Sequence, residues 1–66
     1  MKKIDKVMQA NGNEIPYQTA VHYMDDEIRE YLHGHIDVLG IEDDQSFYDM
    51  YCKKHEEKYG EEFIIN

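Results

Sequence analysis

Tyr17, Val21, Met24, Ile28, Tyr31 and Leu32 recur at intervals of four, three, four, three and one. That spacing puts all six on one stripe of an α-helix, and no other pattern in the chain restricts its fold as much. The stripe starts after Pro16 and runs out at Gly34, residue types that suit a helix start and a helix end. It predicts one helix over 17–33, with a break at Asp25, acting as a fresh N-cap, as the alternative. Upstream, residues 2–10 carry Ile4 and Val7 and read as a strand. Asn11-Gly12 then marks a tight hairpin turn, with Asn13 to Ile15 as the returning strand.

Residues 34–42 read as a loop in which Ile36, Val38, Leu39 and Ile41 cover the edge of the core. Asp43 caps a second helix, with Asp44 in its first turn and Ser46 as the competing cap. Phe47, Tyr51, His55 and Tyr59 share one face at four-residue spacing, which makes Tyr17, Tyr31, Tyr51 and Tyr59 core residues. Tyr23 and Tyr48 flank these stripes, either open to solvent as interface anchors or at the boundary of the core. Gly60 suits the helix stop. Phe63 and Ile65 alternate, so the C-terminal residues can add a third strand to the hairpin. The expected fold class is α+β: a short N-terminal β-hairpin, with or without that third strand, packed against two α-helices. At 66 residues the chain is one small domain, 1–66.

So short a chain buries only about 60% of its unfolded surface. Cys52 is the only cysteine, so no internal disulfide helps. A lone thiol fits a reducing setting, and the expected location is the cytoplasm. The N-terminus is too polar for a signal peptide, and no apolar run reaches the roughly 18 residues of a membrane helix.

The net charge is −8, and it is unevenly placed. Residues 1–24 carry a net +1 and residues 50–66 a net −1, so the whole imbalance lies in 25–49. There Asp25, Asp26, Glu27, Glu30, Asp37, Glu42, Asp43, Asp44 and Asp49 face Arg29 alone. This excludes direct nucleic-acid binding, which needs a basic patch, and opposes docking on anionic membranes.

Several chemical signals compete with charge display. Tyr23-Met24-Asp25-Asp26 matches the metal-site tetrad of reverse transcriptases. A helical frame turns Asp25 and Asp26 about 100° apart, however, and the chain is far too short for a polymerase palm. His33, His35, Cys52 and His55 are zinc-ligand types without a recognised zinc spacing. His22, Asp26, Glu30 and His33 form a row resembling one wall of a carboxylate–histidine site. Such sites face inward and draw on several helices, whereas this row faces away from the stripe. A Cys52–His55 nucleophile would need an oxyanion hole and a cleft, and a domain of this size rarely has room for a pocket of about 300 Å³. The sequence therefore implies no enzyme, no metal and no cofactor.

The acids remain. Between Asp25 and Glu30 a helix displays a net of three negative charges over about 9 Å, close to the spacing of charge along one DNA strand, roughly 3.4 Å. Solubility is the plainer use of acids, but a solubility surface intersperses both signs. A segregated one suits a basic nucleic-acid groove on another protein. The expected partner-binding residues are the nine acids named above. Docking or self-association through apolar and tyrosine surface, with zinc as an optional stabiliser, is the alternative.

The runs "MDDEIREYLH" (24–33) and "KKHEEKYGEEF" (53–63) resemble small acidic proteins carried by phages and conjugative elements of Gram-positive bacteria. The resemblance covers most of residues 7–63. It implies a mobile-element setting, in which small acidic proteins are often anti-CRISPR or antirestriction inhibitors. By that analogy the chain would be a non-enzymatic inhibitor in the host bacterial cell. Its partner would be a nuclease complex or other basic nucleic-acid-binding protein.

Overall fold

The computed structural model describes residues 3–65; Lys2, assigned above to the first strand, lies outside them. The elements run β1 (Lys6–Met8), β2 (Glu14–Pro16), α1 (Tyr17–Tyr23), α2 (Asp26–His33), α3 (Ile36–Leu39) and α4 (Asp44–Tyr59). The α+β class is as expected.

Asn11-Gly12 does form the turn. Gly12 takes a φ of 88°, open to glycine at little cost, and the Asn11 side chain accepts the Asn13 N–H at 3.0 Å. The strands pair antiparallel, with Val7 opposite Ile15 and Lys6 opposite Pro16. β1 is shorter than expected, pairing with β2 over only Lys6, Val7 and Met8, and side chains of α4 take its outer edge. Ile4 N–H donates to the Asp44 carboxylate at 3.0 Å, and Met8 N–H donates to the Gln45 side-chain oxygen at 2.9 Å.

No third strand forms among the described residues. The buried Gln9 carboxamide replaces it, accepting the Ile65 N–H at 2.7 Å and donating to the Ile65 carbonyl at 3.1 Å. One side chain thus makes both bonds that a neighbouring strand residue would make.

The expected single helix over 17–33 is two helices, α1 and α2, and the alternative break at Asp25 is the arrangement found. Met24 and Asp25 are extended, with ψ of 141° and 127°. Asp25 caps α2, its carboxylate accepting the Ile28 N–H at 3.1 Å. In an unbroken helix the Asp25 N–H would bond Val21; here it donates to the Tyr51 hydroxyl at 2.7 Å. Met24, Ile28 and Leu32 are buried on both sides of the break, joined by Ala20, which the stripe omitted. Tyr51→Phe strands that N–H, so a cost of about 1–3 kcal/mol is expected. In a domain of this size each kcal/mol lowers Tm by roughly 4–8 °C, readable by calorimetry.

α4 follows its sequence signals closely. Asp43 and Ser46 form a reciprocal cap, with Asp43 accepting the Ser46 N–H at 2.7 Å and Ser46 Oγ accepting the Asp43 N–H at 3.0 Å. Gly60, with a φ of 73°, closes the other end. Phe47, Tyr48 and Tyr51 are fully buried. Tyr48, read as exposed or at the core boundary, is instead part of the core. The C-terminal segment folds back so that Phe63 meets the rings of Tyr48, Tyr51 and His55. Tyr31 and Tyr59, expected in the core, are about half exposed. Within 34–42, residues 36–39 form the single turn of α3, closed by Gly40 in the left-handed region. Ile41 is buried, but Val38 is 82% exposed and covers nothing.

Candidate functional site

α2 and α4 pack antiparallel. His33 lies over Phe47 at 4.7 Å between ring centroids, Lys54 sits above the Tyr31 ring, and Asp25 meets Tyr59. This pairing decides which acids are free. On α2, Ile28 and Leu32 mark the buried face. At about 100° per residue, Asp26, Glu27 and Glu30 then occupy an arc of roughly 100° centred near the opposite side. All three are exposed, the side chains of Asp26 and Glu27 to 80% and 85%.

Two of these three carry cation partners. Arg29 meets Asp26 at 2.9 Å, and Lys58 reaches Glu27 at 3.7 Å. Glu30 makes no ion pair among the described residues, and neither do the exposed Asp37, Glu42 and Asp49. Exposed pairs of this kind are worth about 0–1 kcal/mol, so a partner's lysine or arginine can displace them.

The other three predicted acids work inside the fold. Asp25 caps α2 and also accepts the Tyr59 hydroxyl at 2.7 Å and the Lys58 ammonium at 3.2 Å. Asp43 is half of the α4 cap. Asp44 is 3% exposed and holds the Ile4 N–H. These three add to the field of the surface, but their carboxylates are committed to neighbours.

The Tyr59 hydroxyl, then the Ile28 N–H, with Lys58 in support, hold the Asp25 carboxyl down to about 2. A carboxyl depressed on folding stabilises above its ordinary range, near 4, and loses that effect as pH falls through about 2. The Tm advantage of the native chain over Asp25→Asn should therefore shrink from pH 4 to pH 2. A gap that stayed constant over that range would deny the carboxylate its role.

The metal readings do not assemble. His35 stacks on Tyr31, while His33 meets Phe47, and His55 meets Tyr51, Tyr59 and Phe63, in tilted ring contacts. His35 and His55 also donate from Nδ1 to the carbonyls of Tyr31 and Glu61. Cys52 lies beside the buried Tyr48 hydroxyl, and burial pushes its thiol pKa up, away from the reactive thiolate. Among the described residues no group of three or more His, Cys, Asp or Glu is placed to hold a metal ion. Met24 of the Tyr-Met-Asp-Asp tetrad is buried, and Asp25 and Asp26 have separate partners.

One feature runs against expectation. An open groove of about 1030 Å³ lies between the segment before β1 and the α1–α2 pair, where sequence length argued against even a small pocket. It is a surface groove, so it takes no volume from the core. Its walls include Ile4, Pro16, Tyr17 and Val21, and Lys3, His22, Arg29 and His33 also line it. The scarcity of cations in residues 1–49 was the one sequence signal that could have drawn attention to these residues. Among the described residues no helix is long and apolar enough to cross a membrane.

Residues 8–63 match a family model described as "Anti-CRISPR protein AcrIC5", which covers more than half of the chain. No match is found among curated proteins.

Proposed function

Since the chain belongs to the AcrIC5 family of anti-CRISPR proteins, we propose that it inhibits a CRISPR–Cas complex by occupying a positively charged nucleic-acid channel with its acidic face. Family membership carries the inhibitor role. The exposed arc of Asp26, Glu27 and Glu30 on α2 carries the mode. Glu30, Asp37, Glu42 and Asp49 contribute carboxylates with no ion-paired cation to displace among the described residues. Asp25, Asp43 and Asp44 keep the scaffold in shape and strengthen the field behind the surface. Such inhibition is non-enzymatic and requires no cofactor. It takes place inside the host cell, where the complex works.

CRISPR effectors hold their nucleic acids in basic channels and read little sequence with the protein itself. A ligand for such a channel needs charge density more than base-like detail. On α2, Asp26 and Glu30 stand about 6 Å apart along the axis, with Glu27 between them in sequence. A net charge of −8 on so small a body also steers encounter over distances beyond contact.

Salt dependence tests the mode. Affinity for the purified effector complex should fall by at least tenfold as ionic strength rises from about 0.01 M, where the Debye length is roughly 30 Å, to about 0.15 M, where it is roughly 8 Å. The alternative, docking through apolar surface, draws on the exposure of Tyr23 (60%) and Val38 (82%). It predicts an affinity nearly flat over that range, and a flat result would replace charge mimicry with that reading.

A further inference from the structure

α2 has eight residues, and two of the three acids of the exposed arc, Asp26 and Glu27, stand in its first turn. An isolated helix that short does not hold together in water, and its first turn frays unless the N–H groups there find acceptors. Asp25 supplies one such acceptor, and α4 supplies the grip on Asp25. The two carboxylate oxygens have separate tasks. Oδ2 accepts the Ile28 N–H at 3.1 Å and the Lys58 ammonium at 3.2 Å, while Oδ1 accepts the Tyr59 hydroxyl at 2.7 Å. The Asp25 N–H donates to the Tyr51 hydroxyl at 2.7 Å. Tyr51, Lys58 and Tyr59 all belong to α4, so its side chains clasp the cap of α2 through backbone and carboxylate alike.

We propose that Tyr59 is a positioning residue for the acidic face: its hydroxyl locks the Asp25 carboxylate in the capping rotamer and so holds Asp26 and Glu27 in the arrangement that the partner meets. The inference rests on the reading that the α2 arc is the contact. Tyr59 is about half exposed, so burial alone does not account for its place at the end of α4. Its ring is braced by His55 at 4.8 Å between centroids and by the Lys58 ammonium at 5.1 Å. Lys58 is a poorer lock, because it is shared between Asp25 and Glu27. Salt screens such a pair, and a partner's basic groups compete for Glu27 beside it. The Tyr59 hydroxyl carries no charge and keeps its hold on Asp25 as salt rises.

Positioning acts on one part of binding only. Encounter depends on net charge, which a frayed turn still carries. Docking depends on where the charges stand, and a chain that presents its acids for a fraction of the time binds more weakly by that fraction. Asp26 and Glu30 keep their spacing of about 6 Å along the axis only while the first turn is helical.

Tyr59→Phe tests this, because it removes the hydroxyl and alters neither the charge nor the ring. Asp25 keeps the Ile28 N–H, Lys58 and Tyr51, so the chain stays folded. Association with the purified effector complex should proceed within about twofold of the native rate, since steering is unchanged. Dissociation should quicken about fivefold or more. In the free chain, amide hydrogen exchange at Ile28 should quicken relative to Leu32, in the second turn of the same helix. Asn11→Ala is the control: it removes a side-chain hydrogen bond from the hairpin turn, leaves Asp25 alone, and should dissociate at the native rate. Unchanged dissociation of Tyr59→Phe would overturn the positioning role. An equal rise in Asn11→Ala would overturn it too, by making the effect one of general stability. Asp26→Lys with Glu30→Lys, measured alongside, reports on the arc itself. Normal binding by that variant would remove the reading on which the inference rests. Loss of binding there, with unchanged dissociation of Tyr59→Phe, would overturn positioning alone.

Discussion

Phe47→Ala should leave most of the chain unfolded at 37 °C. Phe47 is fully buried in the first turns of α4, at the centre of a core that includes Val7, Leu32, Tyr48 and Tyr51. Its ring also supports His33 at the end of α2, so one side chain joins the helix pair. Truncation removes the ring's transfer free energy and opens a cavity, at a cost of about 3–5 kcal/mol. A single core in a chain of fewer than roughly 70–80 residues rarely supplies more than about 3–5 kcal/mol of net stability. The loss is therefore comparable to the whole. Circular dichroism should show reduced helicity at 37 °C and no cooperative melt above it. Val38→Ala is the matched control, with a change within about 0.5 kcal/mol, because its side chain lies almost wholly in solvent.

The second large effect is on binding. Asp26→Lys with Glu30→Lys should weaken association with the effector complex by about 100-fold or more while the chain stays folded. Removing the Asp26–Arg29 pair costs at most about 1 kcal/mol. A lysine in the first turn of α2 opposes the helix dipole by about 0.3–1 kcal/mol. Both substitutions point away from Ile28 and Leu32, so packing is untouched. At the partner, each change turns an attraction into a repulsion, and like charges brought together cost several kcal/mol. Loss of affinity with a Tm within several degrees of the native value separates this effect from unfolding. Unchanged affinity would mean that the α2 arc is not the contact.

How much of this could be read in advance follows the range of the forces involved. The Asn11-Gly12 turn and the limits of α4, Asp43 and Gly60, obey rules that act within four residues, and they appear where the residue types put them. The break at Asp25 depends on the Tyr51 hydroxyl, 26 residues away, so the local stripe favoured an unbroken helix. The expected third strand lost to one side chain, Gln9, whose amide makes the bonds to Ile65. No hydropathy pattern signals that a glutamine will be buried.

The candidate site divides the same way. Composition located the charge in 25–49, because charge is a sum over residue types. It could not separate working acids from displayed ones. Asp25 is held by Lys58 and Tyr59, more than thirty positions along, and Asp44 by the backbone of Ile4. Asp26 and Glu30 remain outward because the same packing buries Ile28 and Leu32. The groove was unreadable for a related reason. Lys3, His22 and Arg29 come from three separate segments and line one groove only because α1 and α2 are separate helices beside a tethered N-terminal segment.

The most direct measurement is competition between the chain and target DNA for one purified effector complex. Complex saturated with the inhibitor should bind no target duplex, and complex loaded with DNA beforehand should bind no inhibitor. A stable ternary assembly, with DNA in its channel and the inhibitor still bound, would contradict occupation of that channel by the acidic face.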